Sequence, residues 1–401
     1  MSAPAQQFDV LVAGGGLVGA SLVLALAPLG LRVGIIEARA RPGPAKAHYD
    51  DRAIALADGS RRVLEAIGVW PLVAPHAEPI RRVHVSEAGR PGIAILDAEE
   101  MAMEALGWVI ENPPLAHAFE AALAHEGTIE RFQPATIIDL EAGAEHVEVE
   151  IDAGGVVQRC STRLLVGADG AGSTVRDRAG IGVSRHEYGQ TSVVTNVTTA
   201  LPHEGVAWER FTPAGPLAFL PLQERRCALV WTVPAGDADT VLSLDDSAFA
   251  ERVNALFGHR LGAIERVGRR QAWPLARVLA KQLWRGRVAL VGNAAHSLHP
   301  IAGQGFNLSL RDCTALAEAV AAGIAASDDP ADCGALQRWA DGRIADQRRT
   351  ATFIDGLNAL FALDLPGVGL ARGVGIGLFG LAGPARRLLA RYGTGVGVPL
   401  R

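Results

Sequence analysis

Apolar and polar positions change rhythm several times along the chain. Phe8 to Ala13 is a continuous apolar, β-rich run, Leu17 to Leu29 is apolar at helical length, and Arg32 to Glu37 is extended and apolar again. A strand, a glycine turn, a helix and a second strand make a βαβ unit. The spacing predicts a helix over Ser60 to Ile67, stopped by Gly68, and another over Pro114 to His125, ending at Gly127. Strand-like alternation marks Arg81 to Leu96 around a turn at Gly89 to Gly92, and strand signals return at Thr136 to Leu140, His146 to Ile151 and Thr162 to Gly167.

From about Gly182 to Arg270 the texture becomes a set of short β-rich runs, Thr191 to Val197, Leu217 to Leu222 and Cys227 to Val233, separated by proline and glycine turns. A buried-type strand over Val288 to Gly292 and a long helix over Asn307 to Ala326 then return the chain to its first domain. The expected fold is α/β. A Rossmann-like nucleotide-binding domain is discontinuous over 1–75, 100–181 and 271–330, a mostly antiparallel β-sheet substrate domain over 76–99 and 182–270 is inserted in it, and a helical region closes the chain over 331–401.

Composition narrows the function. The chain has 401 residues, 49% of them apolar and 20% charged, with a net charge of -5. It can bury a large core and lacks the basic excess of a nucleic-acid binder. Cys160, Cys227, Cys313 and Cys333 contain no C-x-x-C pair, which argues against a zinc site and a disulfide framework and for a reducing compartment. No secretory signal opens the sequence, so a cytoplasmic location is expected. Leu11 to Leu31 is uncharged for long enough to suggest a membrane span, but Gly14, Gly15, Gly16 and Gly19 interrupt it where a strand turns into a helix.

Those glycines carry the first piece of chemistry. Gly14-Gly15-Gly16-Leu17-Val18-Gly19 satisfies G-x-G-x-x-G after a strand and before a helix, and Glu37 follows at the end of the second strand. Gly14 permits the tight turn, Gly16 lets backbone approach a pyrophosphate, Gly19 lets the helix pack closely, and Glu37 accepts hydrogen bonds from a ribose. The fingerprint does not separate FAD from NAD.

Two further segments choose between them. One is Gly167-Ala168-Asp169-Gly170, running on to Val175-Arg176; the other is Gly292-Asn293-Ala294-Ala295-His296, continuing through His299-Pro300-Ile301-Ala302-Gly303-Gln304-Gly305-Phe306-Asn307. Together they resemble the D-G and G-D-A-A-H … P … G-x-G-x-N motifs of the flavoprotein aromatic hydroxylases. Asn293 stands where most of the wider group has Asp, the variant found in the ubiquinone-biosynthesis ring hydroxylases of the 2-polyprenyl-6-methoxyphenol type. Asp51-Arg52-Ala53-Ile54 and Trp208-Glu209-Arg210-Phe211 extend the likeness over almost the whole chain. Glu111-Asn112-Pro113 departs from it, since relatives usually place Arg after Glu-Asn, and Arg52 gains importance for that reason.

The resemblance implies FAD, held by Gly14, Gly16, Gly19, Glu37, Arg52, Asp169, Asn293, Gly303, Gly305 and Asn307, and electrons from NAD(P)H or a redox partner protein. Reduced FAD takes O2 to a C4a-hydroperoxide that transfers oxygen to an electron-rich phenol, here a polyprenyl phenol. Pro300, Ala302 and Gly303 line the flavin face, and an opposing wall comes from Phe219, Leu220 and Trp231. No catalytic acid or base is assigned. A hydroxylase of a soluble aromatic, or a flavin-binding scaffold among other quinone-biosynthesis enzymes, stand as alternatives.

Bland readings compete at several residues. His296 and His299 lack a third metal ligand and read as structural. Arg210 reads as a salt bridge at a domain seam or a substrate contact, and Trp208 and Trp231 as core before pocket wall. The tail from Leu365 carries Arg372, Arg386, Arg387, Arg391 and Arg401 with no acid. It reads either as a helical cap or as an interfacial helix on the inner face of the membrane.

Overall fold

In the computed structural model, residues 5–40, 49, 52–363, 368–381 and 383 are described. Asp51 and the tail arginines Arg386, Arg387, Arg391 and Arg401 lie outside them. The initial apolar run becomes the strand Gln6–Ala13 at the centre of an eight-stranded sheet. It pairs in parallel with Val157–Gly167 on one side and Val33–Ile36 on the other; Val288–Leu290 and Ile129–Phe132 extend the parallel set. Strands covered on both faces need apolar residues at every position. Val10, Leu11, Val12, Leu164, Leu165, Val166 and Leu290 are all fully buried.

The second sheet has nine strands, with Gln271–Ala280, Val183–Thr199, Arg226–Pro234, Gly215–Pro221, Val206–Thr212, Arg82–Glu87 and Ile93–Asp97 adjacent in that order. All neighbours are antiparallel except Arg82–Glu87 against Val206–Thr212. A small antiparallel sheet of Ala53–Ala57, Gly107–Glu111 and Glu78–Ile80 lies between the two larger ones. The expected boundary at 270/271 needs correction. Gln271–Ala280 belongs to the second sheet, pairing with Val183–Thr199, and the first sheet resumes only at Trp284. Pro274 inside that strand hid it, because proline weakens a strand reading and the pairing partner is remote in sequence.

Two long helices, Gln304–Ser327 and Cys333–Ala362, pack on each other, and Gln304–Ser327 also packs on Leu17–Leu26. The first starts earlier than the apolar pattern suggests, so Gly305 lies in its opening turn rather than ahead of it. Among the described residues, no helix is long and apolar enough to cross a membrane.

Candidate cofactor and substrate site

The glycine turn divides its work as backbone geometry requires. Gly14 has φ +100, and a Cβ there would lie 2.4 Å from the carbonyl oxygen of Ala168. A Cβ on Gly19 would lie 1.8 Å from the carbonyl oxygen of Gly14, so helix and turn touch through bare backbone. Gly16 is different: it caps the helix Leu17–Leu26 with no side-chain bond, and a Cβ there would meet none of the described residues within 4 Å. Open space before unfilled helix N–H groups suits a phosphate. Glu37 reaches back to this turn, its Oε2 accepting from Gly15 N at 2.7 Å and its Oε1 from Arg39 N at 2.7 Å. The acid thus orders the loop as well as standing at the ribose position.

The two later motifs are fastened to the first. Gly292, at φ +62, brings its backbone against Val18. Arg176, almost fully buried, donates from Nη1 to Ala294 O at 3.2 Å and from Nη2 to Ala171 O at 3.0 Å, tying the 167–176 and 292–296 segments together. Sequence reasoning gave Arg176 no such part; a basic residue in a glycine-rich turn gives little local warning that it will be buried. Asp169 accepts from Val175 N at 3.1 Å through Oδ2, while its buried Oδ1 has no partner among the described residues. Asn293 is exposed on the single turn Gly292–Ala294. An orphaned carboxylate oxygen, an exposed amide and open space at Gly16 and Gly305 fit a dinucleotide with hydroxyl and phosphate groups to satisfy.

Asn307 has a different occupation from the one expected. Its Oδ1 accepts from Ala57 N at 2.9 Å, and its Nδ2 donates to Ala55 O at 3.0 Å and Gly303 O at 2.8 Å. The side chain is buried and committed to backbone, so it holds Gly303 against the strand Ala53–Ala57 instead of offering bonds to a cofactor. Gly303 adopts φ +60 and caps the long helix, and Pro300 begins the turn Ile301–Gly303. Arg52 is exposed, with its guanidinium 4.9 Å from the Trp273 ring, bridging the small sheet to the nine-stranded one.

The histidines take structural places. Fully buried His296 contacts Asp312 Oδ2 at 2.6 Å, and Asp312 also accepts from Arg343 Nε at 2.5 Å and Gln347 Nε2 at 3.2 Å. Burial pushes the Asp312 carboxyl up, but His296 and Arg343 beside it more than offset this and hold it below the usual range. His299 sits 3.3 Å from Gln190 Oε1, and burial depresses it to about 4, with Asp355 opposing, so it is neutral at physiological pH. Among the described residues, no group of three or more side chains is arranged to hold a metal.

The pleat of the second sheet decides which residues face the cofactor loop. Successive side chains point to opposite faces, and paired residues share a face. Phe219 and Trp231 point away from the cleft. Phe219 packs on Phe257 at 4.2 Å between ring centroids and Trp231 on Phe249 at 5.7 Å, beneath the helix Asp246–Phe257, and both are buried. Phe219 and Trp231 are thus corrected from expected wall to core, whereas Leu220 faces the cleft side, as do Ala218 and Val230, its neighbours along the strands. A strand buried on one face and partly open on the other is apolar on both, so alternation gave no warning. Arg210 likewise turns under the helix, donating from Nε to Leu256 O at 2.7 Å and from Nη1 to Ser86 Oγ at 3.2 Å.

Across the cleft-facing side runs the row Val85, Glu209, Ala218, Val230 and Val194, joined residue to residue by strand register. Gln190 and Trp273 lie on the same face, and their contacts to His299 and Arg52 turn that face toward the cofactor loop.

A dinucleotide cradle of bare backbone opposite a partly open apolar sheet is the site of a dinucleotide-dependent enzyme. The chain belongs to the FAD binding domain family, which matches residues 7–332. It is 36% identical over 96% of its length to a ubiquinone hydroxylase of Rhodospirillum rubrum, covering 89% of that protein. It is 32% identical over 98% of its length to the 3-demethoxyubiquinol 3-hydroxylase of Escherichia coli, covering 99% of it. The p-nitrophenol 4-monooxygenase of Pseudomonas putida shares the fold, with a TM-score of 0.79 at 19% identity over 96% of this chain and 97% of that one. The protein is an FAD-dependent aromatic hydroxylase.

Proposed function

We propose that this hydroxylase acts on the aromatic ring of a polyprenylated phenol in ubiquinone biosynthesis. Near full-length identity to two ubiquinone-pathway hydroxylases carries the reading. Bound and reduced, FAD activates O2 and supplies one oxygen atom to the ring. Gly16 and Glu37 would hold the pyrophosphate and ribose end, in a turn that Gly14 and Gly19 close through bare backbone. Arg52, Asp169, Asn293, Gly303, Gly305 and Pro300 would hold the flavin end, with Asn307 positioning Gly303. The apolar side chains of Val85, Ala218, Val230 and Val194, with Glu209 between Val85 and Ala218, give an aromatic ring a floor to pack on. Electrons come from NAD(P)H or a redox partner.

A prenyl tail needs an apolar exit, and one edge of the molecule supports a peripheral membrane contact. Ile93, Ile95, Leu360, Leu363 and Val374 are exposed there, on an edge strand, the end of a long helix and the helix Val368–Leu381. Arg372 takes no part in it, because its guanidinium is spent on Glu87 and on Leu360 O and Leu363 O. Deleting the gene is expected to deplete ubiquinone and accumulate a prenylated precursor lacking one hydroxyl. Unchanged quinone with no precursor refutes the proposal.

A further inference from the structure

The strand Val206–Thr212 is anchored at two points on its cleft-facing side. Ala207 packs with Ile80 and Val109 of the small sheet, and Phe211 stacks on Phe361 of the long helix with 3.6 Å between ring centroids. Glu209 lies midway between those anchors on the same face, where neither contact can cover it. Its flanking partners are Val85 and Ala218. Part of the side chain still reaches solvent although protein surrounds it, as at the floor of a cleft. No hydrogen bond or ion pair to it occurs among the described residues, and the adjacent Arg210 is engaged on the opposite face.

A carboxylate held without a partner among valines and alanines costs stability, and such a group is retained where a ligand completes it. From this placement we infer that Glu209 is the residue that binds the hydroxyl group of the substrate ring and takes its proton during hydroxylation. The inference rests on the phenolic reading of the substrate. The hydroxyl donates to a Glu209 carboxylate oxygen. As the neighbouring ring carbon gains oxygen, the phenolic O–H bond breaks and a carboxyl O–H bond forms, and the electron pair left on the phenolic oxygen feeds the ring. When the ring sheds its C–H proton to water and regains aromaticity, the carboxyl returns its proton to the product oxygen. Burial raises the Glu209 carboxyl to about 7, which suits a group that must both accept and return a proton near neutral pH.

The test uses the full-length, FAD-loaded enzyme with 2-prenylphenol and its O-methyl ether as probes. Binding is read from the flavin spectrum, and hydroxylation from product under a chemical or enzymatic electron supply. Glu209→Gln is expected to keep FAD, to lose the preference for phenol over ether, and to form product about 10²-fold more slowly or worse, with the limb near pH 7 gone from the rate profile. Glu209→Asp keeps a carboxylate and is expected to keep the preference, whatever its effect on packing. If the wild type hydroxylates the phenol and Glu209→Gln matches it in rate and preference, the assignment to Glu209 is overturned while the phenol reading stands. If the wild type neither binds nor hydroxylates the phenol, both fall.

Discussion

Alanine at Gly19 and alanine at Gly16 separate the two tasks of the glycine turn. Inside a helix, alanine is normally more stable than glycine by ~1 kcal/mol. At Gly19 the added Cβ would sit 1.8 Å from Gly14 O, and that neighbour is backbone held by the strand, not a side chain that can swing away. Helix and turn must part by about an ångström before contact is tolerable, and forced overpacking of this kind costs ~1–3 kcal/mol. The clash outweighs the propensity, so Gly19→Ala is expected to destabilise even the cofactor-free protein by ~1–2 kcal/mol. Gly16 has φ -67 and ψ -176, which alanine adopts freely, and its Cβ meets none of the described residues within 4 Å. Gly16→Ala should therefore leave the apoprotein as stable as wild type and remove FAD binding alone. Urea unfolding of both apoproteins, with flavin absorbance after reconstitution, measures the two effects. A Gly19→Ala apoprotein as stable as wild type, or a Gly16→Ala protein that still binds FAD normally, would refute this division.

Asn307→Asp replaces two N–H donations by a carboxylate facing Ala55 O and Gly303 O, and is expected to cost ~2–4 kcal/mol and weaken FAD retention, both visible in thermal melts with and without FAD. Asp312→Ala takes the buried carboxylate from His296 and leaves Arg343 with Asp346 alone, and should cost ~3 kcal/mol or more in urea unfolding. Glu209→Gln should stabilise the substrate-free protein in a pH-dependent way. A carboxyl raised to about 7 from 4.5 contributes nothing adverse well below pH 4.5, where it is protonated in both states; its penalty grows between pH 4.5 and 7 and is complete above that. The variant should match wild type well below pH 4.5 and exceed it by at most ~3 kcal/mol at pH 8, and a pH-independent difference would contradict the burial of that charge. Replacing Arg226 by Lys breaks a bidentate pair with Glu111 at 2.9 and 2.8 Å that joins the nine-stranded sheet to the small one; a lower melting temperature is expected, and an unchanged melt would deny the pair a structural part.

The first βαβ unit was legible because its signals are local: an unbroken apolar strand, glycines at fixed offsets and an acid at the next strand end. The motif segments around Asp169 and Asn293 were legible for the same reason, as was the class of reaction they imply. Gln271–Ala280 was misplaced because only pairing with Val183–Thr199 makes it part of the second sheet. Glu209 was quoted within the Trp208–Phe211 motif but given no role, although an acid within a β-rich run was a usable signal.

What the residue order determined by itself is the nucleotide turn and the helix and strand types, since each depends on neighbours within a few residues or on glycines that nothing else can replace; FAD followed from the resemblance of distant motif segments to a known family. Tertiary structure alone decided which face of the second sheet meets the cofactor. It turned Phe219 and Trp231 into core, left Glu209 in the cleft and made Asn307 a backbone clamp. A strand exposes every second side chain to each side, and only the layers that close over it choose which set is buried.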